Sequence, residues 1–382
     1  MIHKKLRKLT GGMIGAAFLV ALAAPVSAQT YKIGDSAGLT GYAATVDRAW
    51  SDGVKLAADV INAKGGINGR KLEVIVEDNH SQPQDAVVVY RKMIVSDKVD
   101  AFASGCVSAG TFAAASSVAR AKIPMVLCSI LPPKPNEIKW AFTTLPLPRF
   151  EVEKRLEYLQ QHTKIKKIGI LHDPSPYANL QKTAALNEAE KYGLQVVDVE
   201  QYQTSDPDLS VQIGKMNAAG AGAILKIGLG GTTMTAAKNI KQLGLPTLLM
   251  ASLEDLKVFK PVAEVLGNQF FFVASPSQVV DALPSGPLKT AINDFLTPWR
   301  AKYGDRDPNW AGRGWDAVLL LKEAVQKAHS FDGPKVRDAL ETISGFQGTS
   351  GVYDFSPTDH HGITKNPLFL GEIIDGKVKI VQ

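Results

Sequence analysis

The chain has 382 residues and a mass of 41.0 kDa, is 45% hydrophobic and 21% charged, and contains 33 Gly and 21 Pro. This is a globular composition, long enough for two domains, and it excludes a disordered tail, a collagen-like fibre and a coiled coil. Four of the six surplus positive charges are Lys4, Lys5, Arg7 and Lys8, in a 28-residue stretch without an acid, so the folded part is nearly neutral and no nucleic-acid partner is expected.

Residues 1–28 read as a signal peptide. The basic start is followed by twelve uncharged residues, 13–24, and by Val26-Ser27-Ala28 with small residues where a signal peptidase cuts. Twelve residues are too few to span a bilayer but suit a signal-peptide core. No Cys sits at the cleavage point, so a lipid anchor is not expected. Nor does any later stretch approach the ~20 apolar residues of a membrane helix. The expectation is a soluble periplasmic protein, cleaved after Ala28.

From residue 31 short apolar runs alternate with helical patterns. A strand at 31–35 precedes a helix at 49–62, where Trp50, Val54, Ala57 and Ile61 fall on one face. Strands follow at 71–77, 100–104 and 124–128, with helices at 85–96 and 111–121 between them. Such a βαβ rhythm implies a parallel sheet with right-handed crossovers. After the Pro-punctuated stretch 143–148 it restarts, with strands at 165–171, 194–199, 223–227, 247–251 and 269–274. The helices of this half are predicted at 150–161, 180–192, 209–219 and 232–243. Two amphipathic helices, around Leu288–Trp299 and Val318–Val325, and a β-rich tail from 351 to 381 complete the chain. Two doubly wound α/β units are the economical reading.

Ligands of such sheets sit beyond the carboxyl ends of the strands. The loops there are DSAGLTG (35–41), GCVSAGT (105–111), Cys128-Ser129, HDPSPY (172–177) and GLGGTT (228–233). All but the short Cys128-Ser129 turn mix Gly or Pro with Ser or Thr, as recognition through backbone and hydroxyl groups requires. Ser108 stands where a strand gives way to a helix, so it either caps that helix or helps its free amides hold a carboxylate with Ser129. GLGGTT is no phosphate loop: no Lys-Ser/Thr follows, and Thr233 stands where a dinucleotide fingerprint has its third Gly. His172 and Asp173 are adjacent at a strand end and point opposite ways, so they cannot both serve one substrate. Asp354, Asp359, His360 and His361 lack zinc spacing and read as a solvated turn. Neither G-x-S-x-G nor H-E-x-x-H occurs. Tyr42, Tyr177, Trp310 and Trp315 fall near strand ends and suit the wall of a pocket for an apolar or planar ligand. Only Cys106 and Cys128 are present, at the ends of strands expected to be neighbours, about 5 Å apart at Cα. A disulfide and a pair of buried thiols both remain open.

Several segments together resemble a known family: Ile33-Gly34 with Leu39-Thr40-Gly41, INAKGGINGR at 61–70, Glu77-Asp78-Asn79 before Pro83, the 105–110 loop, His172-Asp173 with Tyr177, and Trp315-Asp316-Ala317. They look like the periplasmic substrate-binding proteins of ABC importers, in the leucine/isoleucine/valine-binding branch, over essentially the whole mature chain. The resemblance implies a type 1 periplasmic binding fold, α/β with two Rossmann-like doubly wound lobes joined by a three-strand hinge. The crossovers are expected near 145–149, 274–278 and 353–357, dividing the chain into 30–147 with 278–353 and 148–277 with 354–382.

The resemblance also implies a site. A ligand carboxylate is expected on Ser108, or on the amides of Ala109 and Gly110, and on the segment from Ser129 to Leu131. Tyr177 matches a cleft Tyr, Leu229 replaces a second one, and Tyr42 adds a further aromatic. The family acid that takes an α-ammonium aligns at Leu253, with Glu254 one position away. Arg149 and Arg313 are cations available to a carboxylate instead. If Glu254 misses the cleft, the departure favours a carboxylic acid without an amino group, aromatic acids included, over a branched-chain-type amino acid. The expected function is capture of a small carboxylate-bearing ligand for the permease subunits of an ABC importer, by a monomer with no cofactor, no metal and no catalysis. A ligand sensor of the same fold is the alternative within the class, and an exported enzyme is a separate one that product formation would reveal.

Overall fold

The computed structural model describes residues 1–2 and 30–381, so the expected signal peptide and its cleavage point lie outside the described residues. Five strands, β1 (Tyr31–Ala37), β2 (Leu72–Asp78), β3 (Ala101–Ser104), β4 (Met125–Leu127) and β5 (Ala141–Thr143), form an all-parallel sheet in the order β2-β1-β3-β4-β5. They alternate with α1 (Ala44–Ala63), α2 (Pro83–Lys92), α3 (Ser108–Ala121) and the single turn α4 (Pro135–Ile138). Helix α5 (Pro148–His162) then leads into a second sheet of β6 (Lys167–His172), β7 (Gln195–Gln201), β8 (Ala223–Ile227), β9 (Leu248–Ala251) and β10 (Phe270–Ala274). These alternate with α6 (Pro176–Glu188), α7 (Ser210–Ala218), α8 (Thr232–Gln242) and α9 (Leu256–Leu266), in the same relative strand order, β7-β6-β8-β9-β10.

The chain then returns through α10 (Pro287–Tyr303), α11 (Asn309–Ala328), α12 (Gly333–Leu340) and the hairpin β11 (Phe346–Gly348)–β12 (Gly351–Tyr353). Two last strands, β13 (Phe369–Ile374) and β14 (Lys377–Ile380), extend the second sheet, β13 pairing antiparallel with β10. The two α/β lobes expected from the alternation are therefore present.

Helix α11 lies directly on α1, and two glycines make that approach possible. A Cβ on Gly53 would collide with the Ala311 carbonyl oxygen, and one on Gly314 with that of Trp50. Trp50 and Trp310 are nearly fully buried at this crossing. The close contact carries the start of α11 to the edge of the first sheet's loops.

Three elements are not announced by the sequence rhythm. Strand β5 has only three residues, too few to show a period, and Pro261 interrupts the pattern of α9. Helix α12 is a two-turn element between polar segments. The 354–361 segment turns at 356–359 as expected, and the solvated-turn reading is corrected at His360 alone. His360 is 3% exposed, stacks on Phe142 at 4.0 Å and accepts the Thr143 N–H at its carbonyl oxygen, fastening the last crossover to β5.

Candidate functional site

Each sheet reverses its strand order at one place, between β1 and β3 in the first lobe and between β6 and β8 in the second. A doubly wound sheet opens a crevice at such a point. The loops after these four strands meet around a single cavity, lined by Tyr42, Ser108 and Ser129 from one side and Asp173, Tyr177 and Leu229 from the other.

In the first lobe the wall is cross-braced. Asp47 of α1 is buried, and its two oxygens accept the amides of Gly38 (2.6 Å) and Cys106 (2.7 Å), tying the β1 loop to the β3 loop. Burial pushes its carboxyl up to about 6 against the pull of those two donors. Cys106 and Cys128 form a disulfide with Cα atoms 4.6 Å apart, which resolves the open alternative and ties the β3 loop to the β4 loop. Both cysteines line the cavity.

Ser108 opens α3. Thr111 is the first residue of that helix whose amide finds a backbone acceptor, so the amides of Ser108, Ala109 and Gly110 have none among the described residues. A helix start with free N–H groups favours an anion. Ser129 adds a hydroxyl, itself 3.3 Å from Thr111 Oγ1.

The second lobe contributes charge and rings. Asp173 follows β6, and Ser175 caps α6 by accepting the Ala178 amide at 3.2 Å. The Tyr177 ring faces the cavity, while its hydroxyl donates to Glu151 on the side away from it. Glu151 also accepts the Leu253 amide at 2.7 Å, and it sits in the field of two wholly buried arginines, Arg155 and Arg313. Burial pushes the Glu151 carboxyl up, opposed first by Arg155. Lys226 and Glu254 are also buried in this lobe. Desolvation lowers the amine, offset first by the charge of Asp173 and then by Glu254, and raises the acid, offset first by the amides of Gly230 and Asp255 and then by Lys226.

The lobes touch. A Cβ on Gly230 of the second lobe would lie 3.1 Å from the Tyr42 carbonyl oxygen of the first, and φ is +86° there, a conformation glycine adopts freely. Asp307, before α11, accepts the first amide of α9 from the opposite lobe at 2.6 Å. The space open to the centre of a water molecule is about 20 Å³, enough for roughly one water. The structure is thus a closed arrangement.

Tyr42, Ser108, Ser129, Tyr177 and Leu229 are brought together as expected, and Trp310 joins them. Ala109 and Gly110 follow Ser108 in the first turn of α3 but do not line the cavity, Gly110 packing against Ala86 of α2. Four expectations need correction. The Leu131 side chain packs with Phe102 and Met125 in a separate apolar layer instead of the cavity wall. Arg149 lies on the solvent face of α5, paired with Glu153 at 2.9 Å. Glu254 points away, its oxygens accepting the amides of Gly230 (2.8 Å) and Asp255 (3.0 Å). Trp315 packs against Phe295, with ring centres 5.7 Å apart, one helical turn beyond the cavity.

Arg313 lies behind the wall, 4.7 Å from the Trp310 ring, and does not line the cavity. Asp173, Ser175 and Leu145 were missed as lining residues. For Asp173 a signal existed: of two adjacent residues at a strand end beside the crevice, one has to face it.

The periplasmic binding protein family profile matches residues 30–377. A Pseudomonas aeruginosa protein named leucine-, isoleucine-, valine-, threonine-, and alanine-binding protein is 25% identical over 347 residues, 89% of each chain. The solved structure of Rp1789 from Rhodopseudomonas palustris superposes with a TM-score of 0.83 at 22% identity, covering 93% of this chain and 100% of that one. The Streptococcus pneumoniae branched-chain amino acid transporter substrate-binding protein LivJ, solved with isoleucine, gives 0.78 at 22% identity, over 92% and 98%. The Pseudomonas and Streptococcus relatives are named as binding proteins. The chain belongs to the periplasmic binding protein family.

Proposed function

We propose that this protein captures a small carboxylate-bearing ligand between its lobes and delivers it to the permease subunits of an ABC importer. The observation that carries this reading is the start of α3, where Ser108 lines the cavity with Ser129 and the first three amides of the helix have no acceptor among the described residues. Such a group of donors complements a carboxylate. The rings of Tyr42, Tyr177 and Trp310 with Leu229 and Leu145 supply the apolar remainder.

The lobes are residues 30–147 with 278–353 and 148–277 with 354–382, a division supported by β13 and β14 in the second sheet and by α11 on α1. A ligand larger than a water enters only when they part, and affinity comes from closing preorganised donors around it. The names of the Pseudomonas and Streptococcus relatives support a ligand of the amino-acid type.

Calorimetric titration with small carboxylic acids, on the wild type and on Ser108→Ala, tests the reading. The variant is expected to bind about 5- to 150-fold more weakly, the equivalent of ~1–3 kcal/mol. An unchanged dissociation constant removes Ser108 from the site. For the delivery step, deletion in the native host is expected to abolish high-affinity uptake of the same acid.

A further inference from the structure

We propose that a groove lined by both lobes, and sharing no lining residue with the cavity above, is a second binding site, for a small multivalent oxyanion. Nothing in it depends on what the cleft holds.

The groove encloses about 680 Å³, within the usual range of small-molecule sites. Lys260 of α9 and Lys377 and Lys379 of β14 enter it from the second lobe. Arg300 of α10 and Arg306 enter it from the segment that returns to the first. Two acids, Asp281 and Asp305, also line it, so the groove gathers a surplus of three positive charges. Residues 29–382 as a whole carry a surplus of only two, since four of the chain's six belong to Lys4, Lys5, Arg7 and Lys8. A distribution this uneven makes the groove attractive to anions on a nearly neutral molecule.

The cations are not engaged elsewhere. Among the described residues, Lys260, Arg300, Lys377 and Lys379 form no ion pair within 4.0 Å, and neither do Asp281 and Asp305. Arg306 differs. Asp52 holds it at 2.8 Å, and its guanidinium lies 5.5 Å from the Trp299 ring and 5.3 Å from that of Tyr303. Trp299 in turn donates its ring N–H to the Arg306 carbonyl oxygen at 3.1 Å. One cation is thus fixed on a packed wall, and four exposed ones can turn toward an occupant. Lysines on an edge strand such as β14 also deter pairing with another chain, and Arg300 suits the C-terminal end of α10. Neither reason brings Lys260 of α9 to the same groove.

One exposed ion pair is weak, so a ligand is held only where it engages several cations at once. Cations spread over α9, β14, α10 and the loop after it match an anion with several charged oxygens better than a single carboxylate. Such an occupant bridges the lobes, and its binding is linked to how they sit.

Calorimetric titration of the protein with inorganic pyrophosphate, citrate and acetate, at constant ionic strength, tests the site. Pyrophosphate or citrate is expected to bind at one site per chain and acetate is not, and the tighter of the two tells phosphate from carboxylate chemistry. Lys377→Ala with Lys379→Ala, and separately Lys260→Ala with Arg300→Ala, are each expected to weaken that binding about 10-fold. Ser108→Ala is expected to leave it unchanged. All four replaced side chains are exposed, so both double variants are expected to melt with the wild type. The proposal is overturned if neither polyanion binds saturably, or if acetate binds as well as they do. Binding that both double variants retain, or that Ser108→Ala abolishes, overturns it too. None of these results bears against capture in the cleft.

Discussion

The two halves of the cavity are built by different means. On the first lobe the loops are held by a disulfide and by Asp47 bonded to two amides, and the wall carries the Ser108 and Ser129 hydroxyls, with the start of α3 at Ser108, beside Tyr42, Leu145 and Trp310. On the second lobe the loops rest on buried charged groups, Glu151 in the field of Arg155 and Arg313 and Lys226 in that of Asp173 and Glu254, and the wall carries the Asp173 carboxylate and Ser175 beside Tyr177 and Leu229. Donors supplied by backbone at a helix start hold any carboxylate, whatever the side chains nearby. The acid and the ring change with single residues. The first half is thus suited to anchoring a ligand and the second to choosing it, and the contrast can be broken from either side.

The largest expected effect is on the second lobe. Glu151→Gln removes a buried carboxylate that accepts the Tyr177 hydroxyl and the Leu253 amide and lies in the field of Arg155 and Arg313, and weakening two hydrogen bonds to a charged group costs about 3–5 kcal/mol of stability. Urea unfolding measures it; a loss within ~0.5 kcal/mol would show that the network is not what supports these loops.

Next comes the brace of the first lobe. Replacing both Cys106 and Cys128 with Ser removes a link across a sequence separation of 22, expected to cost about 3 kcal/mol. Ligand affinity should fall with it, because the bridge joins the loops that carry Ser108 and Ser129. Unchanged affinity in a folded double variant would mean that α3 alone positions the donors.

Ser108→Ala is smaller, ~1–3 kcal/mol in binding with less change in stability. The smallest effect is of pH. Asp47 is raised to about 6 and Asp35 to about 8, both mainly by burial. Acids whose folded pKa lies above the unfolded one contribute stability that is complete below about pH 4 and is lost as pH rises through the folded values. The melting temperature should therefore fall between pH 5 and 8. Asp35→Asn should flatten the upper part of that fall, and an equally steep profile in the variant would assign it to other groups.

Much of this was legible before the structure. The alternation of runs such as 223–227 and 232–243 places the strands and therefore the loops, and the loops place Ser108, Ser129 and Tyr177 at the cavity. What periodicity cannot convey is which way a side chain turns once several partners compete for it. Glu254 is one residue from the aligned position, and two nearby amides turn it inward. Arg149 finds Glu153 one helical turn away on the exposed face. His360 looked like part of a polar turn because its partners, Phe142 and Ala141, are more than two hundred residues earlier in the chain. Short elements such as β5 are equally silent, since three residues carry no period.

The central claim is that donors at the start of α3 capture a carboxylate and that the lobes close on it. A thermal-shift comparison of small acids with their primary amides tests it most directly, because each pair differs only in the group those donors would hold. The account predicts that at least one acid, at a hundredfold excess over its dissociation constant, stabilises the protein by about 2.7 kcal/mol while its amide does far less. Amides that match their acids, or a panel in which no acid shifts the transition, would contradict it.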